Sequence, residues 1–274
     1  MDEELIKQLD YLRITGLKER WHDYIEQGEK KELGHERFLR QVVAESYHAQ
    51  IAYSKHMRTK RAAIPEILVM ATFPFEQQPN LPKKRLLNIY DSLTYMSQHQ
   101  NIVMVGPTGS GKTGLATSYL MHAIEQSYTG YFISFPDLID KLFTAMAAHR
   151  QDRVLKTFAA YDCLVIDELG YVDIEPAQTG LFFRLMSMRH KRKTTIVTSN
   201  LGFSEWTTFL KNDQLTAALI DRLTENSHVI NMKKCTSIRP KTPDPEPESP
   251  LLASQNPKEK AIPSAQPNPK NKSK

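Results

Sequence analysis

The octapeptide GPTGSGKT, Gly106 to Thr113, decides how the rest of the chain is read. It fits the pattern G-x-x-x-x-G-K-[ST], and its flanks fit as well: the apolar run NIVMV, Asn101 to Val105, predicts a buried strand before it, and GLATSYLMHAI from Gly114 predicts a helix after it. Gly106, Gly109 and Gly111 allow backbone turns that side chains forbid, so successive N–H groups can face phosphate oxygens at the positive end of that helix. Pro107, Thr108 and Ser110 complete the loop. Lys112 is placed to reach the β and γ phosphates, and Thr113 to offer its hydroxyl to a Mg2+ ion bridging them. The stretch predicts a site for a nucleoside triphosphate with Mg2+.

Toward the C-terminus the pattern alternates between strand and helix. GYFISF (Gly130 to Phe135) predicts the second strand, and Pro136 with Asp137 opens a helix running toward His149. In DCLVIDELG the apolar residues Cys163 to Ile166 predict a strand buried on both faces, delivering Asp167 and Glu168 at its carboxyl end. Asp167 is placed to hold the Mg2+ shell, and Glu168 to orient and polarise the water that attacks the γ-phosphate. TTIVTSN, Thr194 to Asn200, is the next buried strand. Its terminal Asn200 either contacts the γ-phosphate and the attacking water or serves as a turn former. The basic run Arg189 to Lys193 before it reads as a helix end favoured by the dipole, or as a DNA contact. The helix Gln214 to Glu225 carries AALIDRL, and a last short strand follows at Ser227 to Met232. Arg222 is either a surface arginine or, in an assembly, a group that reaches a neighbour's γ-phosphate.

Toward the N-terminus, residues 1–62 predict a helical unit for DNA or partner interaction. Its apolar stripes are Leu5, Leu9 and Leu12; then Leu17, Trp21, Tyr24 and Ile25; then Phe38, Leu39, Val42, Val43 and Tyr47. A core or a partner interface explains such stripes better than a dedicated DNA reader. The unit ends in the basic patch Lys55, Arg58, Lys60 and Arg61, and a Pro-containing linker spans 63–82. A helix from Lys83 to Ser97 leads into the nucleotide domain, 83–239. Beyond it, 240–274 is rich in Pro, Lys, Ser and Asn without apolar periodicity, which predicts a disordered tail.

Composition narrows the classes. With 274 residues, 40% of them hydrophobic, the chain has room for one main domain and a small appendage. A net charge of +5 leans toward an anionic partner. Cys163 and Cys235 stand far apart, and no histidine pattern matches a metal motif, as expected of a reduced, cytoplasmic protein without structural metal. No run approaches the length of a membrane span, so no membrane association is expected.

Taken in order, LRITGLKERW, GPTGSGKT, CLVIDELGY, TTIVTSN with FSEW after it, and AALIDRL resemble the IstB family over roughly residues 5 to 240. Its members are AAA+ ATPases of the DnaA/DnaC clade that act as transposition helpers beside an IstA-type transposase. The resemblance implies an α/β, three-layer AAA+ P-loop domain with a five-stranded, mostly parallel sheet in the order 5-1-4-3-2, after a small all-helical domain. It makes Gly106 to Thr113 the Walker A loop, Asp167 and Glu168 the Walker B pair, Asn200 the sensor asparagine and Arg222 an arginine finger acting in trans. Family members commonly end in G-x-S-Y-R; here KKCTSIRP has no Gly and carries Ile238 in place of the Tyr, which leaves a sensor role for Arg239 open. The implied function is ATP-dependent self-association on duplex DNA, recruitment or activation of the transposase, and disassembly driven by hydrolysis. Two alternatives share the motifs, a DnaC-like helicase loader and an ATP-binding scaffold that does not hydrolyse.

Overall fold

Strand β1 (Asn101–Val105) is buried along its whole length. Alternation sends Ile102 and Met104 to one face of the sheet and Val103 and Val105 to the other, so both faces must be covered by helices. The computed structural model, which describes residues 1–31 and 33–238, supplies that cover. Strands β2 (Gly130–Ser134), β3 (Cys163–Leu169), β4 (Thr194–Ser199) and β5 (Ser227–Asn231) join β1 in one sheet of order β2-β3-β4-β1-β5. This is the expected order 5-1-4-3-2 read from the other side, and every pairing is parallel. All strand starts therefore share one edge of the sheet and all strand ends the other.

The chain opens with four helices, α1 (Glu3–Tyr11), α2 (Thr15–Glu19), α3 (Trp21–Lys30) and α4 (His35–Arg61). The Asp2 carboxylate caps α1 by accepting from the Leu5 amide at 2.8 Å. Helix α4 carries Arg58, Lys60 and Arg61 in its last turn, where the dipole favours cations. Its end is seated on the sheet: the carbonyl of fully buried Ala62 accepts from Phe132 at 2.7 Å, and Lys55 pairs with Glu125 at 2.8 Å. Residues 1–238 form one compact unit. Of the stripes expected in the first 62 residues, Leu9, Tyr24 and Val42 are buried, whereas Leu12, Leu39, Val43 and Tyr47 are exposed.

Residues 63–82 form two 3-10 turns, Met70–Thr72 and Phe75–Gln77, and bury Met70, Gln78 and Leu81. The expected helix Lys83 to Ser97 is two helices, α5 (Lys83–Ser92) and α6 (Thr94–Ser97), because Leu93 between them takes φ +51. With α7 (Lys112–Glu125) they cover the sheet face that carries Ile102, Met104, Val165 and Ile196.

The opposite face is covered by α8 (Phe135–Ala147), α9 (Gln151–Ala160), α10 (Pro176–Arg189), α11 (Trp206–Leu210) and α12 (Asp213–Thr224). Ser134 caps α8, Glu175 and Gln178 form a capping box on α10, and Asn212 caps α12. The helix expected to run toward His149 ends at Ala147, with His149 itself at φ +52, and α9 has no counterpart among the expected elements. Both cysteines are buried and unpaired, and burial pushes the Cys163 thiol up to about 12. Among the described residues no cluster could hold a metal through His, Cys, Asp or Glu alone, and no helix is long and apolar enough to cross a membrane. Arg239 and the expected tail lie outside the described residues.

Candidate functional site

The site lies on the edge where the strands end, the usual ligand edge of a parallel sheet. Between β1 and α7 the loop turns through Gly109 at φ +81 and Gly111 at φ +92, values a residue with a Cβ rarely adopts. Gly111 also receives the Phe73 ring, which comes within 2.7 Å of where a Cβ would stand. The start of the loop is fixed by the Gly106 amide, which donates to the Ser199 carbonyl at 3.1 Å. Lys112 opens α7 almost fully buried, its Nζ donating to the carbonyls of Gly106 at 2.8 Å and Pro107 at 2.9 Å. The ammonium is thereby folded back against its own loop. The Ser110 hydroxyl is buried without a hydrogen-bond partner, a donor suited to a phosphate oxygen.

Strand β3 brings the two acids to this edge and then separates them. Asp167 is 5% exposed and accepts from the Thr113 hydroxyl at 3.0 and 3.2 Å, so the two oxygen ligands expected for Mg2+ are already adjacent. A register shift against β4 between Ile166 and Leu169, with Glu168 at φ +62, turns the second carboxylate out to solvent. The left-handed backbone is uncommon for Glu and carries local strain. Thr198 of β4 organises the turn: its hydroxyl donates to Asp167 and accepts from the Glu168 amide at 3.1 Å. Thr198 lies inside the apolar run of β4, and nothing in the sequence but its place near the end of the strand that leads to Asn200 marks it. Asn200 follows the end of β4 with its Oδ1 buried and without a partner, an acceptor suited to a water proton.

Two neighbours of the loop also escape the motif. Tyr171 in the turn after β3 places its hydroxyl 3.0 Å from that of Thr108. The chain after β5 returns over the loop: the Ile238 amide donates to Gly109 at 2.9 Å, and buried Gln78 exchanges hydrogen bonds with the Thr236 backbone at 2.5 and 3.2 Å. Residues 63–82 are thus tied to the segment that covers the phosphate loop.

Arg222 is the one expected site residue placed elsewhere. It lies in the last turn of α12, where Asn101, the first residue of β1, donates to its carbonyl at 3.4 Å. The phosphate loop begins at the other end of that strand, roughly 16 Å away. The guanidinium stacks 4.5 Å from the centroid of the Phe183 ring and donates to the Ala218 carbonyl at 3.0 Å. The chain therefore gathers Lys112, Thr113, Asp167, Glu168 and Asn200 at one edge and holds Arg222 at the opposite one.

This fold and this loop define a P-loop nucleotide-binding protein with an AAA+-type fold. The chain belongs to the IstB-like ATP-binding protein family, whose model matches residues 7–244. It is 31% identical to a protein of Bacillus thuringiensis subsp. berliner named as an ATP-binding protein of insertion sequence IS232, across 84% of this chain and 92% of that one. It is 29% identical to its counterpart named for insertion sequence IS21 of Pseudomonas aeruginosa, across 84% and 86%. Among solved structures, AMPPCP-bound DnaA from Aquifex aeolicus matches with a TM-score of 0.52 at 15% identity, over 62% of this chain and 51% of that one, a likeness of fold alone.

Proposed function

We propose that this chain is a transposition helper that hydrolyses ATP at a site shared between subunits assembled on duplex DNA. The observation that carries the shared site is the position of Arg222 at the sheet edge opposite its own phosphate loop. A loop, two acids and an asparagine can bind ATP and place a water within one subunit. Charge developing in the transition state still calls for a cation, and an arginine from the next subunit can supply it in trans. Lys112 and the loop amides bind the phosphates, Glu168 polarises the water, and Asn200 accepts from it. Thr113 and Asp167 are the residues suited to hold Mg2+, which when bound neutralises charge on the phosphates. Hydrolysis then loosens the assembly and releases the DNA. The link to an IstA-type transposase rests on the relatives, which are named for insertion sequences.

Mixing two inactive variants tests the shared site. Lys112→Ala retains Arg222, and Arg222→Ala retains an intact phosphate loop. On duplex DNA their mixture is expected to recover ATPase activity that neither shows alone, with a rate per subunit that rises with protein concentration. A parental rate indifferent to concentration, DNA and Arg222 would replace the shared site with a self-contained monomer. Co-purification with a hexameric helicase instead of a transposase would make the chain a loader. ATP-dependent assembly with no turnover would make it a scaffold.

A further inference from the structure

The basic patch at the end of α4 does not act as a unit. Lys55 is diverted to Glu125 at 2.8 Å, whereas Arg58 and Arg61 line a cleft of about 470 Å³ between α1 and α4. Arg13 completes the cleft from the α1 side. It follows the end of α1 at φ +57, and its amide donates to the Asp10 carbonyl at 3.1 Å, so the chain reverses there. The carboxylate in the cleft, Asp10, is engaged by Lys18 at 2.8 Å and does not offset the arginines. Arg58 donates from Nη2 to the Ser127 hydroxyl at 3.3 Å, but its Nε is buried without a hydrogen-bond partner. Arginine has donors only, so the fold leaves that nitrogen's donor unmet. Tyr53, 56% exposed on the wall of the cleft, adds a ring and a hydroxyl.

Three arginines and an exposed tyrosine lining one cleft suit an oxyanion on a chain that also carries sugar or base surface. We propose that the cleft between α1 and α4 holds backbone phosphates of nucleic acid, with Arg13, Arg58 and Arg61 as the donors. This site rests on the DNA-binding reading above. It departs from the linear patch by removing Lys55 and Lys60 and adding Arg13, more than forty positions earlier.

The test is the salt dependence of duplex DNA binding by the full chain with a non-hydrolysable ATP analogue. Arg13 and Arg61 are both exposed, so the double substitution Arg13→Gln with Arg61→Gln leaves the seat of α4 intact. The slope of log affinity against log salt is expected to become shallower by about 2, and binding at about 0.15 M salt to weaken roughly thirty-fold, while analogue binding is unchanged. Arg13→Lys with Arg61→Lys is expected to restore the slope. Arg58→Gln contributes about one further unit. An unchanged slope in the double Gln variant, beside a parent that binds DNA steeply, overturns the cleft and leaves the DNA reading standing. A parent that binds no DNA at any salt overturns both. Competition by poly-glutamate equal to that by DNA reassigns the cleft to an acidic polypeptide.

Discussion

The sheet of this protein has a carboxyl edge and an amino edge, and both are crowded with polar side chains. At the carboxyl edge several of them keep bonding capacity in reserve: Glu168 faces solvent, and Ser110 and Asn200 each hold a buried atom without a partner. At the amino edge the capacity is consumed. Arg189, 1% exposed, donates to the carbonyls of Phe158 and Tyr161 at 2.8 Å and of Ala159 at 3.3 Å, to the Thr194 carbonyl, and to the Thr195 hydroxyl at 3.0 Å. Burial pulls its pKa down to about 10, which leaves it charged at neutral pH. Asn101 bonds Leu223 at 3.2 Å and accepts from the Thr195 amide at 3.0 Å. Unspent polar groups are a cost carried for ligands, and spent ones specify the packing. Substitutions at the first edge should cost turnover and leave stability intact, and substitutions at the second should do the reverse.

The largest effect is expected for Glu168→Gln. The amide keeps the shape but cannot take a proton from water, so kcat should fall on the order of 10²–10⁴-fold while ATP binding and Tm stay parental. A Tm loss of more than a few degrees in this variant would break the comparison, because it would make Glu168 part of the fold.

Arg189→Leu is the counterpart. It leaves a ring of buried carbonyls without a donor, with an expected loss on the order of 3–5 kcal/mol and roughly 10 °C in Tm. Once folded at low temperature, the variant should bind ATP with parental affinity in a fluorescent-analogue titration. This residue also marks the limit of what the sequence discloses. The phosphate loop and the acids are legible because phosphate chemistry fixes residue types at fixed spacing, and the alternating apolar runs around them give the strand order's raw material. A basic residue in a last helical turn satisfies the ordinary dipole rule, so nothing local marks Arg189 as buried. Its real partners are the final carbonyls of α9, a short helix at QDRVLKTFAA that the motif pattern passes over. The exposed stripe of Leu39, Val43 and Tyr47 was illegible for the same reason: periodicity gives a face, but not which side its neighbours cover.

A smaller effect separates positioning from chemistry within the carboxyl edge. Thr198→Val keeps volume and removes the hydroxyl shared by Asp167 and the Glu168 amide. Losing it should cost about 1–2 kcal/mol, seen as a roughly ten-fold fall in kcat and a higher Mg2+ requirement, with KM for ATP little changed. Thr198→Ser, which restores the hydroxyl, should recover most of the rate. Equal losses in both variants would assign Thr198 to packing, and the edge would then hold fewer functional groups than its geometry implies.

The smallest effect tests the amino edge by pH. Asp162 joins the start of β3 to its neighbours, accepting from Thr129 at 2.9 and 2.7 Å and from Lys193 at 2.5 Å. Partial burial raises its pKa, but the bonds from Lys193 and Thr129 outweigh that and hold the carboxyl below its ordinary value. A depressed folded pKa contributes stability that is present above the unfolded value, near 3.9, and is lost as pH falls through the lower folded value. Asp162→Asn should therefore cost about 1 kcal/mol at pH 7 by denaturant midpoint. The gap between parent and variant should narrow as pH drops below about 4. A gap that stays constant with pH would mean that shape, not charge, matters at this position. A matching fall in ATPase rate at neutral pH, in protein shown to be folded, would mean that the two edges are coupled along the strands. The division between a spent edge and a reserved one would then hold for hydrogen bonds but not for function.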